Sequence, residues 1–244
     1  MQRRNFIKTT GLAGLAATAF PYPAFAQEVE YSVLELMGKV DIELFGSDIN
    51  LRQEPYEAFL KMKKAAYNDG FDIKIVSSYR NFYRQQAIWE RKYLQYTDVD
   101  GMAPMEAITK IIEYSTIPGT SRHHWGTEID IIDGYRKTTG DVLLAEKFEG
   151  EGPFSGLKQW MDENSEDFGF YLVYTDNYFR KGFKYEPWHY SYAPNSIPML
   201  EQFRKKNIFK LIQNEEFEGV EHFTTSFLKT YIHDNILDIN PALL

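Results

Sequence analysis

The residue that most constrains this chain is Asp130, a carboxylate inside the apolar run Ile129-Asp130-Ile131-Ile132. A short β-branched run of this kind reads as a buried strand. A carboxylate in such a strand must be paired or bound to a cation, so the fold has to bring partners to it. Two segments hold the candidates. Ser121-Arg122-His123-His124-Trp125-Gly126-Thr127-Glu128-Ile129-Asp130 supplies His123, and Glu186-Pro187-Trp188-His189 supplies a second imidazole and a spare carboxylate. Of the five histidines (His123, His124, His189, His222 and His233), the first three fall in these two segments.

His123 and Asp130 are seven residues apart. On a continuous strand that odd spacing would put them on opposite faces. Gly126 offers a turn between them, so His123 is expected on the loop before the strand and His189 on a neighbouring strand. Two imidazoles and one carboxylate leave a fourth tetrahedral position open, which is the donor inventory of a catalytic zinc site. Glu186, three residues before His189, is the candidate general base. Pro187 is expected to keep the chain extended as it enters the strand.

The periodicity around these segments predicts an α+β fold with antiparallel strands carrying the polar motifs. Helical spacing runs from Tyr56 to Ala66 and stops at Asn68-Asp69-Gly70, and Phe71–Val76 alternates as a strand. Arg84–Tyr96 and Pro104–Tyr114 read as helices, Thr127–Ile132 as the buried strand, and Tyr135–Gly152 as a loop. A helix from Leu157 to Phe168 closes at Gly169, followed by strands at Phe170–Tyr174 and Trp188–Tyr192. After Pro194 the character changes to two amphipathic helices, Met199–Ile212 and Glu216–Ile232, an appendage without recognisable chemistry. The expected organisation is a domain over residues 27–194 and a helical C-terminal extension over 195–244.

Residues 1–26 do not read as fold. Arg3, Arg4 and Lys8 precede a small, apolar stretch that ends in Ala24-Phe25-Ala26. This is the pattern of an export signal, too short for a stable membrane span. Arg3-Arg4-Asn5-Phe6-Ile7-Lys8 also resembles a twin-arginine leader. Its removal leaves 24 basic against 35 acidic residues, net −11. Nucleic acid and anionic membrane surfaces are poor partners for such a chain. The absence of cysteine excludes disulfides and thiolate-bound metal. An exported protein of the periplasm or cell envelope is expected. The 17 Tyr and 18 Phe read first as core, with some available for a cleft.

The pattern Ser-x-His-x-x-Gly-x-x-x-Asp followed by Glu-x-Trp-His resembles the zinc peptidases of the D-Ala-D-Ala carboxypeptidase group. These stand with lysostaphin- and hedgehog-type domains among the LAS metallopeptidases. Ser77-Ser78-Tyr79-Arg80 with Gln85, Trp160–Ser165 with Phe168-Gly169-Phe170, and Tyr185–Tyr192 agree in order and spacing, over about Leu51 to Pro194. The resemblance implies a small antiparallel sheet that carries the zinc site and packs against helices. It implies His123, Asp130 and His189 as ligands of one zinc ion, Glu186 as catalytic base, and Arg80 as the cation that stabilises the oxyanion. Gln85 and Ser121 would hold the substrate peptide, and Trp125 would narrow the cleft. The implied substrate is a peptidoglycan stem peptide or muropeptide, cleaved at D-Ala-D-Ala. An endopeptidase cutting another stem or cross-bridge bond, and a zinc-bearing binding module without activity, stay open as alternatives. The chain departs from the family at His124, Trp125, Ser78 and Glu128. Glu128 stands at a usually apolar position, lining the cleft or facing solvent.

Overall fold

Strand alternation organises the molecule around the run that contains Asp130. The structure, a computed structural model, describes residues 29–244; the expected leader over residues 1–26 lies outside them. Tyr31–Leu244 form one compact unit. Helix α1 (Val33–Leu36) is capped by Ser32 and α2 spans Gln53–Asn68. Pro55, Phe59, Met62 and Ala66 are its buried positions, spaced as one helical stripe. Strand β1 (Ile73–Ser77) leads to α3 (Phe82–Leu94), which begins at Asn81, whose side chain accepts from Arg84 N. Helix α4 (Pro104–Ile111) opens on proline, where a missing N–H costs nothing. After it come β2 (Glu128–Asp133), α5 (Ser155–Asn164), β3 (Phe170–Leu172) and β4 (His189–Tyr192). Helices α6 (Ala193–Arg204), α7 (Ile208–Gln213) and α8 (Thr225–Tyr231) complete the chain. Among the described residues no helix is long and apolar enough to cross a membrane.

The four strands form one antiparallel sheet in the order β1-β2-β4-β3. Register fixes what each face carries. Asp130 pairs with His189, and Glu128 with Ser191, so these four side chains share one face. Ile129 pairs with Tyr190, and both point to the opposite face with Ile131. That second face is apolar and packs with Phe59, Met62, Leu157 and Phe170. A β-irregularity between Ile75 and Ser77 ends β1 beside Asp130 and turns the chain toward Arg80.

The segment after Pro194 is helical but breaks where local chemistry stops it. The Asn207 side chain caps a new helix at Lys210 N, so Met199–Ile212 is two helices rather than one. Gly219, with φ +85°, interrupts the expected Glu216–Ile232 helix, and Thr224 starts α8. These helices share the larger core with α3 and the loop before β2. Trp89 packs edge-on against Phe217 and Phe223, and its Nε1 donates to Glu218 O at 2.9 Å. Phe203 meets the Trp125 ring. Tyr231 donates toward Thr120 and accepts from Ile117 N at 3.0 Å. The expected appendage therefore holds the loop that leads into the site.

Candidate metal centre and cavity

Three donors converge at the polar face of the sheet. Ser121 caps a 3₁₀ turn, Arg122–Trp125, by accepting from His123 N, and Gly126 ends the turn in the left-handed region at φ +69°. The turn delivers His123 to the start of β2. His123 Nδ1 lies 2.7 Å from Ser78 O. A carbonyl only accepts, so Nδ1 carries the proton and Nε2 is left with its lone pair. Nε2 faces Asp130 Oδ2 at 3.5 Å. Across the sheet, His189 Nδ1 is 3.9 Å from Asp130 Oδ1 and 2.9 Å from Glu186 Oε2. One donor atom from each of His123, Asp130 and His189 lies within 4.8 Å of the others, all three residues being buried.

The donor set fits a zinc ion. It comprises two imidazoles and a carboxylate, the ligand types zinc takes in three-ligand sites. Asp130 Oδ1 is buried without a hydrogen-bond partner, an orphaned acceptor of the kind a cation satisfies. His123 spends its far nitrogen on a carbonyl, the usual way a metal-binding imidazole is oriented.

Glu186 reaches the site by a turn, not by the extended entry expected from Pro187. His189 N donates to Glu186 O at 3.1 Å, which closes a four-residue turn with proline at its second position, a place proline favours. Glu186 N donates to Tyr174 O. From this turn the Glu186 carboxylate reaches back to His189 Nδ1, with Oε2 at 2.9 Å.

The electrostatics are those of several charges sharing a water-poor space. Burial opposes charge on His189, but the hydrogen bonds its ring donates to Glu128 and Glu186 outweigh it and lift the imidazole to about 10. Burial raises Asp130 to about 6 against the pull of His189 and Arg80. Burial, then the Arg80 and His189 charges, push His123 well below its ordinary value. Burial would raise Glu128, yet Arg122 and His189 hold it down at about 2.

A cavity of about 500 Å³ opens over this face. His123, Asp130, Glu186, His189, Arg80 and Ser121 all line it, so the structure brings together six of the eight site residues read from the sequence. Arg80 Nε is buried and has no hydrogen-bond partner. Arg91 and Lys92 of α3, Arg122, and the loop carrying Asp141 and Glu146 form the remaining charged walls.

Gln85 and Trp125 do not line the cavity. Gln85 lies on the buried stripe of α3, and its Nε2 donates to Thr116 O at 2.9 Å; it holds a lining residue from behind. Trp125 is in the larger core, donating from Nε1 to Leu36 O at 3.1 Å, with the Arg122 guanidinium 4.9 Å above its ring. Successive residues of a 3₁₀ turn point about 120° apart, so His123 and Trp125 diverge. The expectation that Trp125 narrows the cleft is corrected by that geometry. His124 is also buried. Its Nδ1 donates to Arg80 O at 2.6 Å, and its Nε2 accepts from Gly119 N at 3.2 Å. It ties the Arg80 segment to the loop before the turn. His222 and His233 pair locally with Glu221 and Asp234, outside the site.

Two residues at the centre escape the motif reading. Tyr174 is buried edge-on to His189, with ring centroids 5.2 Å apart. Glu128 neither lines the cleft nor faces solvent. It is fully buried and bonds His189 from the side away from the cavity. Strand alternation carried the signal for it, since Glu128 and Asp130 are two residues apart and share a face.

The D-alanyl-D-alanine carboxypeptidase (VanY) family profile matches residues 48–195. Over 150 residues the chain is 32% identical to the D-alanyl-D-alanine carboxypeptidase of Enterococcus faecalis (strain ATCC 700802 / V583), covering 61% of this chain and 49% of that protein. The chain thus spans about half the length of this curated relative. The structure of VanYB in complex with D-alanine-D-alanine superposes with a TM-score of 0.52 at 24% identity, over 73% of this chain and 92% of that one, and shows the same fold. A mutant of the vancomycin resistance D,D-pentapeptidase VanY in complex with Zn(II) superposes at 0.50 with 26% identity, over 64% and 79% of the two chains.

Proposed function

Because the chain belongs to the D-alanyl-D-alanine carboxypeptidase family, we propose that it is a zinc-dependent peptidase that removes the terminal residue from peptidoglycan stem peptides ending in D-Ala-D-Ala. The observation that carries this reading is the convergence of His123, Asp130 and His189 on one cavity with Glu186 and Arg80. Those three residues would hold one zinc ion, which supplies Lewis acidity to water and to the scissile carbonyl.

The chain's own groups supply the rest. The Glu186 carboxylate takes the proton from the attacking water and passes it to the leaving amine nitrogen. Arg80 faces the carbonyl oxygen as that oxygen gains charge. Its unpartnered Nε–H has a hydrogen bond to give there, and a guanidinium stays charged when buried. Ser121 lines the same cavity and is placed to hold the peptide, while Gln85 acts through Thr116. Arg80, Arg91 and Lys92 line the cavity without a carboxylate in ion-pair distance among the described residues; Lys92 spends its ammonium on the Ser115 hydroxyl. In a chain with a large acidic excess, unpaired cations at this site suit a substrate that ends in a free carboxylate. They favour carboxypeptidase over endopeptidase action. The basic and apolar leader at residues 1–26 supports action outside the cytoplasm, on the cell envelope.

The test is to incubate residues 27–244, loaded with zinc, with muropeptide pentapeptides ending in D-Ala-D-Ala, with and without chelator. Mass spectrometry should show chelator-sensitive loss of one alanine. Cleavage at an internal bond would identify an endopeptidase instead, and no cleavage of any muropeptide would identify a binding module.

A further inference from the structure

Both candidate metal-binding imidazoles are oriented by a partner on the far nitrogen, but the partners differ in kind. His123 has a neutral carbonyl, Ser78 O. His189 has a charged side chain: its Nε2 lies 2.9 Å from Glu128 Oε2. We propose that Glu128 is a positioning residue for the metal centre, accepting the Nε2–H of His189 and so committing Nδ1 to the metal. The proposal rests on the zinc reading above.

The surroundings of Glu128 are built to hold one carboxylate orientation. It is 0% exposed. Oε1 accepts from Ser191 Oγ at 2.6 Å and from Thr127 Oγ1 at 3.0 Å. Oε2 faces Arg122 Nε at 3.4 Å in addition to His189. Arg122 is itself buried; its Nη2 donates to Ser191 Oγ at 2.7 Å and its plane lies over Trp125. Ser191 Oγ, in turn, lies 2.7 Å from Ser196 Oγ at the start of α6. The network runs from the turn that carries His123 through the sheet to the helix behind it.

Stability does not account for such a network. Burying a carboxylate and a guanidinium costs several kcal/mol per ion, and a well-packed apolar pair of similar volume is often as stable or more so. What the ion pair adds is control of His189. A carboxylate is acceptor-only, so the imidazole nitrogen facing it must carry the proton. Without a metal, Nδ1 also carries a proton, which it donates to Glu186 Oε2 at 2.9 Å; with Nε2–H held by Glu128, Nδ1 is the nitrogen left to give up its proton and face a cation beside Asp130. Arg122 and Ser191 keep the carboxylate from rotating away.

The test measures zinc affinity by competition between metal-free protein and a chromophoric chelator, with the charge state of the His189 ring followed by long-range ¹H–¹⁵N correlation. Glu128→Gln keeps the volume and an acceptor oxygen but loses the charge. The pair exchange R122M/E128M removes both ions without leaving either alone. Outer partners of metal-binding histidines are typically worth 10–100-fold in affinity. Glu128→Gln is expected to weaken zinc about 10-fold and the pair exchange by up to about 100-fold. The metal-free melting temperature is expected to change little in the pair exchange and to fall in Glu128→Gln, which leaves Arg122 buried and unpaired, and the Nε2–H signal of zinc-loaded wild type should be lost or averaged in the pair exchange. If that exchange fails to fold, Glu128→Gln decides alone. Wild-type zinc affinity in Glu128→Gln and in any folded pair exchange would overturn the positioning role and leave the zinc reading intact. Wild-type protein that binds no zinc would overturn the zinc reading itself.

Discussion

The two faces of β2 are both buried and are built from opposite materials. Ile129 and Ile131 face Phe59, Met62 and Leu157 in a packed apolar core. Glu128 and Asp130 face His189, Ser191 and Arg122 through hydrogen bonds and charge. On the first face, burial yields stability directly, at roughly 25 cal/mol per Å² of apolar surface. On the second, burial weighs against every charge and is tolerated because most of the polar atoms have partners; Asp130 Oδ1 and Arg122 Nη1 do not. The difference separates what folds the strand from what it is used for. The apolar face fixes the register, and the register places Asp130 opposite His189.

Substitutions on the two faces should therefore fail in different ways. The largest effect is expected on the polar face. His189→Ala should lose stoichiometric zinc and fall to background turnover while still melting cooperatively; elemental analysis that still finds one zinc per chain would remove His189 from the ligand set. On the apolar face, Ile131→Ala should cost about 2–5 kcal/mol of unfolding free energy through its cavity. Zinc affinity and kcat/KM, measured where the variant is folded, should not change. A loss of zinc affinity in that variant would show that the two faces are not separable.

A third test uses pH. Burial holds His124 neutral down to about 4, the backbone hydrogen bond to Arg80 opposing that shift. The unfolded chain takes up its proton nearer 6.5. Between those values the unfolded state binds more protons, so stability is full above about 6.5 and falls as pH drops toward 4. The two to three pKa units amount to about 3 kcal/mol. Denaturant titrations of metal-free protein across this window should show the decline, and His124→Gln should reduce its slope by about one proton. An unchanged slope would mean that His124 is not held neutral. The smallest effect is expected for Trp125→Phe. It should cost about 1–2 kcal/mol by removing the hydrogen bond to Leu36 O and some packing. Its KM should be unchanged, because the ring lies in the core; a raised KM would return Trp125 to the cleft.

The same contrast explains which parts of the site could be read in advance. Asp130 is legible because a carboxylate is out of place in an apolar strand, and His123, His189 and Glu186 follow from the two segments that could supply its partners. Arg80 and Ser121 came with the motifs. Gln85, taken from the resemblance, and Trp125, taken from its place beside the motif, both lie off the cavity wall. The 82, 85, 89, 93 spacing puts Gln85 on the inner stripe of α3, and the 3₁₀ turn rotates Trp125 away from His123. Pro187 was read for its local bias, but the hydrogen bond from His189 N to Glu186 O makes a turn of it. The sheet order and the packing of α6, α7 and α8 depend on contacts between distant residues, such as Trp89 with Phe217, which periodicity does not encode.

In the proposed reaction the polar face holds a zinc ion and Glu186 moves the proton. Its most direct test is Glu186→Gln, assayed for metal content and for release of D-alanine from a D-Ala-D-Ala muropeptide. One zinc per chain is expected, with a fall in kcat of roughly 10²- to 10⁴-fold, the range for loss of a general base. Wild-type turnover in a variant that retains its zinc would contradict it.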